Sequence, residues 1–285
     1  MMKRFWRLIR PLDLNAQRPL QRDVQTVELT VSATEVPHWM ALSLGQDIGT
    51  RKEQQDYCAC CSVEQGFSAV VCDGMGGLAD SRIAAQTAAQ VWLSLVKTFS
   101  GNFAAFAENA AKQMDAAIRQ RSEQGGTTIA AVLLEGNALH WISVGDSKIY
   151  IFRENTMVSA TREHNYQMVL DQRLHRGEIS LPTYKRESAK GAHLVSYLGK
   201  GQLPYLDIST TPFLLHRGDI VLLCSDGLYK SLHESTLQNI LCQYQGDFET
   251  LGSYLMYLTQ LHREVRDNTT VIAIRYLGEN VIIGT

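Results

Sequence analysis

Residues 68–77 read Ser68-Ala69-Val70-Val71-Cys72-Asp73-Gly74-Met75-Gly76-Gly77. Five residues suited to a covered strand run straight into a carboxylate, and glycines follow it. Small and β-branched side chains fit a pleated, buried surface, while glycine admits turns and lets backbone approach a ligand closely. The reading is a strand that stops at Asp73. A second ending of the same kind occurs at Leu222-Leu223-Cys224-Ser225-Asp226-Gly227. In both, the strand fixes an aspartate in space and the glycine frees a neighbouring carbonyl, which suits a hard cation. The two endings are expected to form two walls of one site.

Outward from residue 77 the periodicity changes. Ala84, Ala88, Val91, Trp92 and Leu95 recur at helical spacing and predict a helix over 80–99; Phe103, Phe106, Ala110, Met114, Ala117 and Ile118 predict a second. Strands are expected over 127–134, 138–144, 148–153 and 157–160. Glu135-Gly136-Asn137, Gly145-Asp146-Ser147 and Glu154-Asn155 join them, and these links are too short for crossover helices, so they predict an antiparallel meander. Residues 164–180 read as mixed helix and loop and 220–223 as a buried strand. A helix is expected over 248–262 with Leu251, Tyr254, Leu255, Leu258 and Leu261 inward, and a last strand over 271–276. Helical pairs separated by an antiparallel meander indicate an α+β fold in which helices cover sheets.

With 285 residues and 45% hydrophobic content, the chain can bury a full core. Its 27 basic and 29 acidic residues leave a net charge of -2, which argues against nucleic acid as a partner. Cysteines 58, 60, 61, 72, 224 and 242 read as reduced, cytosolic thiols; the Cys58, Cys60, Cys61 group lacks a second pair at zinc-ribbon spacing. Residues 1–39, punctuated by Pro11, Pro19 and Pro37, read as a flexible arm before a domain at 40–285. The basic and aromatic opening has no unbroken apolar region of a signal peptide, and no apolar run approaches the ~20 residues of a transmembrane segment. The expectation is a cytoplasmic protein; oligomeric state is left open.

Two more loop carboxylates, Asp267 before the final strand and Asp146 in the Gly145-Asp146-Ser147 turn, join Asp73 and Asp226, and Asp56 precedes another expected strand. Each alone has a turn or capping explanation. Together they pose a charge problem: two carboxylates ~4 Å apart at an effective dielectric of ~20 repel by about 4 kcal/mol, so a cluster needs raised pKa values or cations. All-oxygen ligation selects magnesium or manganese over zinc. Two such ions can ready a water for in-line attack on phosphorus, and the planar fork of Arg51 could hold the phosphoryl oxygens.

The ordered motifs resemble those of the PPM family, the type 2C protein phosphatases, in its bacterial form. Arg51-Lys52-Glu53-Gln54-Gln55-Asp56 is similar to the opening motif of the family, and Asp73-Gly74-Met75-Gly76-Gly77 to its Asp-Gly-Met-Gly-Gly signature. Gly125-Gly126-Thr127-Thr128, Gly145-Asp146-Ser147, Ser225-Asp226-Gly227 and Asp267-Asn268-Thr269-Thr270 follow in order. The resemblance spans about 41–276, and the short interval between Asp56 and Asp73 is similar to compact bacterial members. It implies a central antiparallel β-sandwich flanked by α-helices on both faces. It also implies hydrolysis of phosphoserine and phosphothreonine in proteins through a binuclear manganese or magnesium centre and a bridging water. Asp73 would bridge both metals, the Gly74 carbonyl would bind one, and Asp226 and Asp267 the other. Asp56 would hold a metal-bound water or bind directly, Asp146 could serve a weaker third metal, and Arg51 would bind substrate phosphate. The implied partners are a phosphorylated protein and an opposing serine/threonine kinase in bacterial signalling.

Departures from the family pattern are Gln54 for asparagine, Lys148 for the arginine that commonly follows Gly-Asp-Ser, and Met75 where many eukaryotic members carry histidine, which leaves the leaving-group acid unassigned. Glu163-His164 replaces a frequent Asp-His, and 161–198 resembles the variable flap in which substrate preference is expected. Among rivals, no Gly-x-Ser-x-Gly elbow, P-loop or His-Glu-x-x-His pattern occurs. The serious alternative is a catalytically silent module of the same fold that binds a phosphoprotein or regulator; the presence of Asp73, Asp226 and Asp267 favours the enzyme.

Overall fold

The computed structural model describes residues 36–64, 66–75, 78–122, 124–262 and 266–278. Residues 1–35 of the expected arm, Gly76 and Gly77 of the signature, and the last residues of the expected domain lie outside the described residues.

Two antiparallel sheets carry the fold. One contains β1 (Met40–Asp47), β12 (Thr269–Tyr276), β11 (Ile220–Cys224), β7 (Lys148–Arg153) and β8 (Thr156–Ser159), in that spatial order. The other runs β10 (Phe213–Leu214), β6 (Ala138–Val144), β5 (Ile129–Glu135), β3 (Gly66–Met75), β2 (Asp56–Val63), with β4 (Gly126–Thr127) on β3 and β9 (Asp207–Ile208) on β6.

Alternation along the strands decides what each face touches. In β3, Phe67, Ala69 and Val71 point into the space between the sheets, where they meet Ile149, Ile151, Val221, Leu223, Ile272 and Ile274 of the facing sheet. The intervening Val70 and Cys72 pack outward with Ala84, Ala88 and Trp92 of α1 (Leu78–Val96) and Met114 and Ile118 of α2 (Phe103–Arg121). On the opposite outer face, Tyr150, Leu222, Cys224 and Ala273 are covered by α5 (Asp226–Ser231), α6 (Glu234–Gln243) and α7 (Leu251–His262) through Leu228, Leu237, Ile240 and Leu255. The layers are helix, sheet, sheet, helix, so the expected sandwich with helices on both faces is present. Phe67 has no exposed surface; truncating it to alanine would cost ~3–5 kcal/mol through lost burial and an unfilled cavity.

Cysteines follow the same alternation. Cys58 and Cys60 enter the inter-sheet core and Cys61 the α1–α2 side, so the three thiols cannot converge on one ion. Five of the six cysteines are buried and all are free.

Several expectations are corrected. β3 does not stop at Asp73: pairing of Gly74 with Thr127 and Met75 with Gly126 extends it to Met75. The strand expected over 127–134 is divided at Thr128 into β4 and β5. The expected meander breaks at Gly145-Asp146-Ser147, because β6 and β7 belong to different sheets and the chain crosses between them there. The helix expected from 248 begins with a 3₁₀ turn, Phe248–Thr250, and Leu261 is 57% exposed rather than inward. α6 was not foreseen. Between β8 and β9, α3 (Tyr166–His175) falls in the 164–180 segment that read as mixed helix and loop, while α4 (Leu181–Glu187) lies beyond it and was not foreseen.

Antiparallel order brings one set of strand ends together. The end of β3 pairs beside the start of β2, the start of β5 beside the end of β6, and the start of β12 beside the end of β11. The β6–β7 crossing lies at the same end, since Lys148 pairs with Cys224. No helix among the described residues is long and apolar enough to cross a membrane.

Candidate metal centre

Five aspartates sit at that shared end. Asp56 opens β2 and is the direct register partner of Asp73 on β3. Asp146 occupies the crossing, Asp226 opens α5 just after β11, and Asp267 lies two residues before the start of β12. Asp56, Asp146 and Asp226 are buried, while Asp73 and Asp267 keep some exposed surface.

Backbone and hydroxyl groups hold these carboxylates in place. The Asp73 amide donates to Thr128 Oγ1 at 3.0 Å, and the Asp73 carbonyl accepts from the Thr128 amide at 2.9 Å and from Thr127 Oγ1 at 2.9 Å. The Gly-Thr-Thr start of β4 and β5 is therefore a clamp on Asp73. Gly74 cannot carry a side chain, because a Cβ would lie 2.8 Å from the Gln55 carbonyl oxygen and closer still to Ser81 backbone. Asp56 Oδ2 accepts 2.7 Å hydrogen bonds from both Ser225 Oγ and Thr270 Oγ1, which ties β2 to the facing sheet. Ser225 Oγ also accepts from the Thr270 amide at 2.9 Å.

The loop that carries Arg51 is pinned by Asn268. Its Oδ1 accepts from the Gln55 amide at 2.8 Å, and its Nδ2 donates to the carbonyls of Ile48 and Glu53 at 2.9 and 3.1 Å. Gln54 Oε1 accepts from the Asp56 amide at 3.0 Å, so this departure from the family pattern caps the start of β2. Arg51 reaches Asp267 Oδ2 at 2.7 Å, and Lys230 forms an ion pair with Asp226 Oδ2. Asp56 Oδ1 and Asp226 Oδ1 are buried without a hydrogen-bond partner.

Electrostatics mark the cluster as a unit. Burial, with Asp226 and Asp267 nearby, pushes the Asp56 carboxyl up to about 7 despite its two hydroxyl donors. Asp73 is pushed well above the usual carboxylate range by desolvation, then by Asp56, Asp226, Asp146 and Asp267. Burial and the charge of Asp226 raise Asp146 to about 7 as well. Such mutual repulsion is the signature of carboxylates that require either protons or cations.

Among the described residues, no three His, Cys, Asp or Glu side chains converge tightly enough to hold one ion. Asp226 is turned to Lys230, Asp267 to Arg51, and one oxygen of Asp56 to two hydroxyls. The donor set still fits hard divalent cations. It is all oxygen, and the two orphaned buried carboxylate oxygens lack the partner that such atoms normally have.

The flap expected beside the site is anchored to it. The fully buried His164 accepts from the Gly145 amide at its Nδ1, 3.1 Å, next to Asp146. Leu198 and Thr127 exchange backbone hydrogen bonds of 2.9 and 3.0 Å. Lys148 binds Glu163 at 2.8 Å and Glu234 at 2.9 Å, and its ammonium lies 4.2 Å from the centre of the Tyr229 ring. Tyr229 donates its hydroxyl to the Asp146 carbonyl at 3.0 Å. Sequence reasoning missed Ser225, Thr270, Asn268 and Lys230 as site residues. For the first three the signal was adjacency to the aspartate motifs; Lys230 had none beyond its position one helical turn after Asp226.

Known proteins share this fold. The protein phosphatase 2C family model matches residues 47–266. The serine/threonine phosphatase Stp of Listeria welshimeri is 28% identical over 149 residues, 52% of this chain and 56% of that protein. The solved S. agalactiae serine/threonine phosphatase, 23% identical, superposes with a TM-score of 0.72 over 85% of this chain and 100% of its own, a likeness of fold. The catalytic domain of the serine/threonine phosphatase PstP, solved with two manganese ions, is 25% identical, with a TM-score of 0.64 over 84% of this chain and 98% of that one. On a family match that spans most of its length, the chain belongs to the protein phosphatase 2C family, the metal-dependent serine/threonine protein phosphatases.

Proposed function

We propose that this protein removes phosphate from phosphoserine and phosphothreonine in protein substrates, using two manganese or magnesium ions held by Asp73, the Gly74 carbonyl, Asp226 and Asp267. The observation that carries the reading is the meeting, at one end of the sandwich, of five aspartates from distant parts of the chain, where burial and then the neighbouring carboxylates raise the pKa values of Asp56, Asp73 and Asp146. When bound, the ions would supply a nucleophilic water and neutralise charge on the phosphoryl oxygens.

The residues of the chain would do the rest. Asp73, clamped by Thr127 and Thr128, presents its carboxylate from a fixed strand position. Asp56, locked by Ser225 and Thr270 through one oxygen, leaves the other free to hold a water or an ion. Asp146, at the crossing between sheets, is suited to a weaker third cation. Arg51 keeps 56% of its side chain exposed, so its guanidinium can exchange Asp267 for a substrate phosphate. The 161–198 flap, tied to Gly145 and Thr127, would bear on substrate preference. A cognate serine/threonine kinase would supply the phosphorylated protein.

The test is release of phosphate from an aryl phosphate and from a phosphothreonine peptide, with manganese or chelator, by the wild type and by Asp73→Asn. Manganese-dependent release that Asp73→Asn loses is the expected result. Equal release by both proteins would remove the catalytic reading, and no release by either would favour the silent, phosphoprotein-binding alternative.

A further inference from the structure

Beside the carboxylate cluster opens a cleft of about 420 Å³ lined by Thr50, Arg51, Gly227, Lys230, Ser231, Arg266 and Asp267. Three of its side chains are cationic and one is anionic. Arg266 is committed elsewhere, bound to Asp47 at 2.7 Å and only 17% exposed. Arg51 and Lys230 are different: their side chains are 56% and 45% exposed, and their partners are Asp267 and Asp226. Those two aspartates are the ones to which the reading above, on which this inference rests, gives divalent cations.

One carboxylate cannot give its full charge to an ammonium and to a divalent ion at once. Ions on Asp226 and Asp267 would take over the charge that Lys230 and Arg51 now balance, leaving two side chains on the cleft wall in want of an anion. Arg51, with its planar fork, suits the phosphoryl group itself. Lys230 is a compact point charge with three donors on a flexible stem, one turn further along α5, with the Ser231 and Thr50 hydroxyls beside the same cleft. That combination suits an anion whose position varies between substrates.

We propose that this cleft is a second anion subsite, that Lys230 is its specificity-determining residue, and that it takes an acidic side chain or a further phosphate flanking the phosphorylated residue of the substrate. Because the same ammonium pairs with Asp226, anion binding and cation binding are linked: whatever occupies Asp226 frees Lys230 for the substrate, and by reciprocity an anionic flank favours the cation-loaded protein.

The test uses full-length protein and non-hydrolysable phosphonate peptides of one sequence with a neutral, an aspartate or a phosphoserine flank, read by fluorescence anisotropy with manganese and with chelator. In manganese the wild type is expected to bind both anionic flanks ~5–10-fold more tightly than the neutral one, the preference shrinking as salt screens it. Lys230→Met is expected to bring the ratio near one, and Lys230→Arg to keep most of it. In chelator the wild type and Lys230→Met are expected to show the same ratio. A preference for phosphoserine alone would identify a further phosphate as the natural flank, and equal preference a general acidic one; either supports the subsite. Equal loss of affinity for all three peptides in Lys230→Met would overturn the proposal, since it would mean that Lys230 only supports Asp226. Should Lys230→Met fail to fold, a wild-type preference that is absent or insensitive to salt overturns it equally. Failure of the phosphatase reading is separate and visible, as absence of manganese-dependent aryl phosphate hydrolysis by the wild type.

Discussion

Asp56 and Asp73 face each other as register partners across β2 and β3, which places two carboxylates side by side on one face of a sheet. Directly opposed strand residues lie ~4.5–5.5 Å apart at Cβ, and like charges in that relation destabilise. The pair is therefore a standing cost to the fold, and the placement makes sense only where something else repays it.

Replacing Asp73 with asparagine should separate stability from activity. Asp73→Asn removes a carboxyl that burial, and then its four neighbours, push well above the ordinary range, so the variant is expected to melt several degrees above the wild type in chelator, at ~2–4 °C per kcal/mol for a domain of this size. The same variant should lose manganese-dependent phosphatase activity by on the order of a thousandfold or more, because charge stabilisation by such ions is worth several kcal/mol. Differential scanning fluorimetry and aryl phosphate hydrolysis measure the two effects. A variant less stable than the wild type in chelator would contradict the electrostatic account.

Stability in chelator should also fall as pH rises. Asp56 and Asp146 titrate at about 7 in the folded protein against 3.8 for the unperturbed group. Between these values the native state binds more protons than the unfolded chain, so stability declines with increasing pH. The share of the decline due to these two groups should run from about pH 4 to about pH 7. Added manganese is expected to reverse it, since cations then replace the protons. Melting temperatures taken across pH 5–8, with and without manganese, give the answer; a flat chelator profile would show that these carboxylates do not repel as described.

The fold was largely legible because strand ends carry their own signal. The unbroken run of covered-strand residues through Val70 and Cys72 and the helical spacing of Ala84, Ala88 and Trp92 are local patterns, and they sufficed for a sandwich with covering helices. What was not legible depended on partners distant in sequence. Gly74 and Met75 remain in a strand only because Thr127 and Gly126 pair with them. Gly145-Asp146-Ser147 has the length of a hairpin link, yet it crosses between sheets, a distinction set by the packing of β7 on β11. The five aspartate positions could be read from their turns. The roles of Ser225, Thr270 and Asn268 could not, because their hydrogen bonds to Asp56 and to the Arg51 loop join segments about 170 to 220 residues apart. Lys230 on a helix surface looks like any solvated lysine until Asp226 is seen beside it.

Lys148 should matter more to the flap than to the core. It joins Glu163 of the flap to Glu234 of α6, and it stacks over Tyr229, whose hydroxyl holds the Asp146 carbonyl. Lys148→Met would leave two carboxylates facing each other across a buried stem. Both are partly exposed, so solvent screening keeps the expected loss of stability near ~1 kcal/mol. Hydrogen exchange should rise across 161–198 while the sandwich strands stay protected, and KM for a phosphopeptide should rise more than kcat falls. Lys148→Arg should restore most of this. Unchanged exchange in the flap would show that Glu163 contributes no anchoring.

Ser225 offers the sharpest separation between holding a ligand and being one. Its hydroxyl donates to Asp56 Oδ2 at 2.7 Å and accepts from the Thr270 amide at 2.9 Å, and it is fully buried. Ser225→Ala removes both bonds at once. The Thr270 amide, left without that acceptor, costs ~1–3 kcal/mol, and Asp56 loses one of the two donors that fix its orientation. Supporting groups of this kind typically change metal affinity by ~10–100-fold, so manganese titrated calorimetrically into Ser225→Ala should bind that much more weakly than into the wild type. Thr270→Val, which removes the other donor to Asp56 and spares the backbone amide, should weaken manganese binding with a smaller loss of stability. If both variants bind manganese as the wild type does, Asp56 is not oriented for a cation, and its place in the proposed centre falls with it.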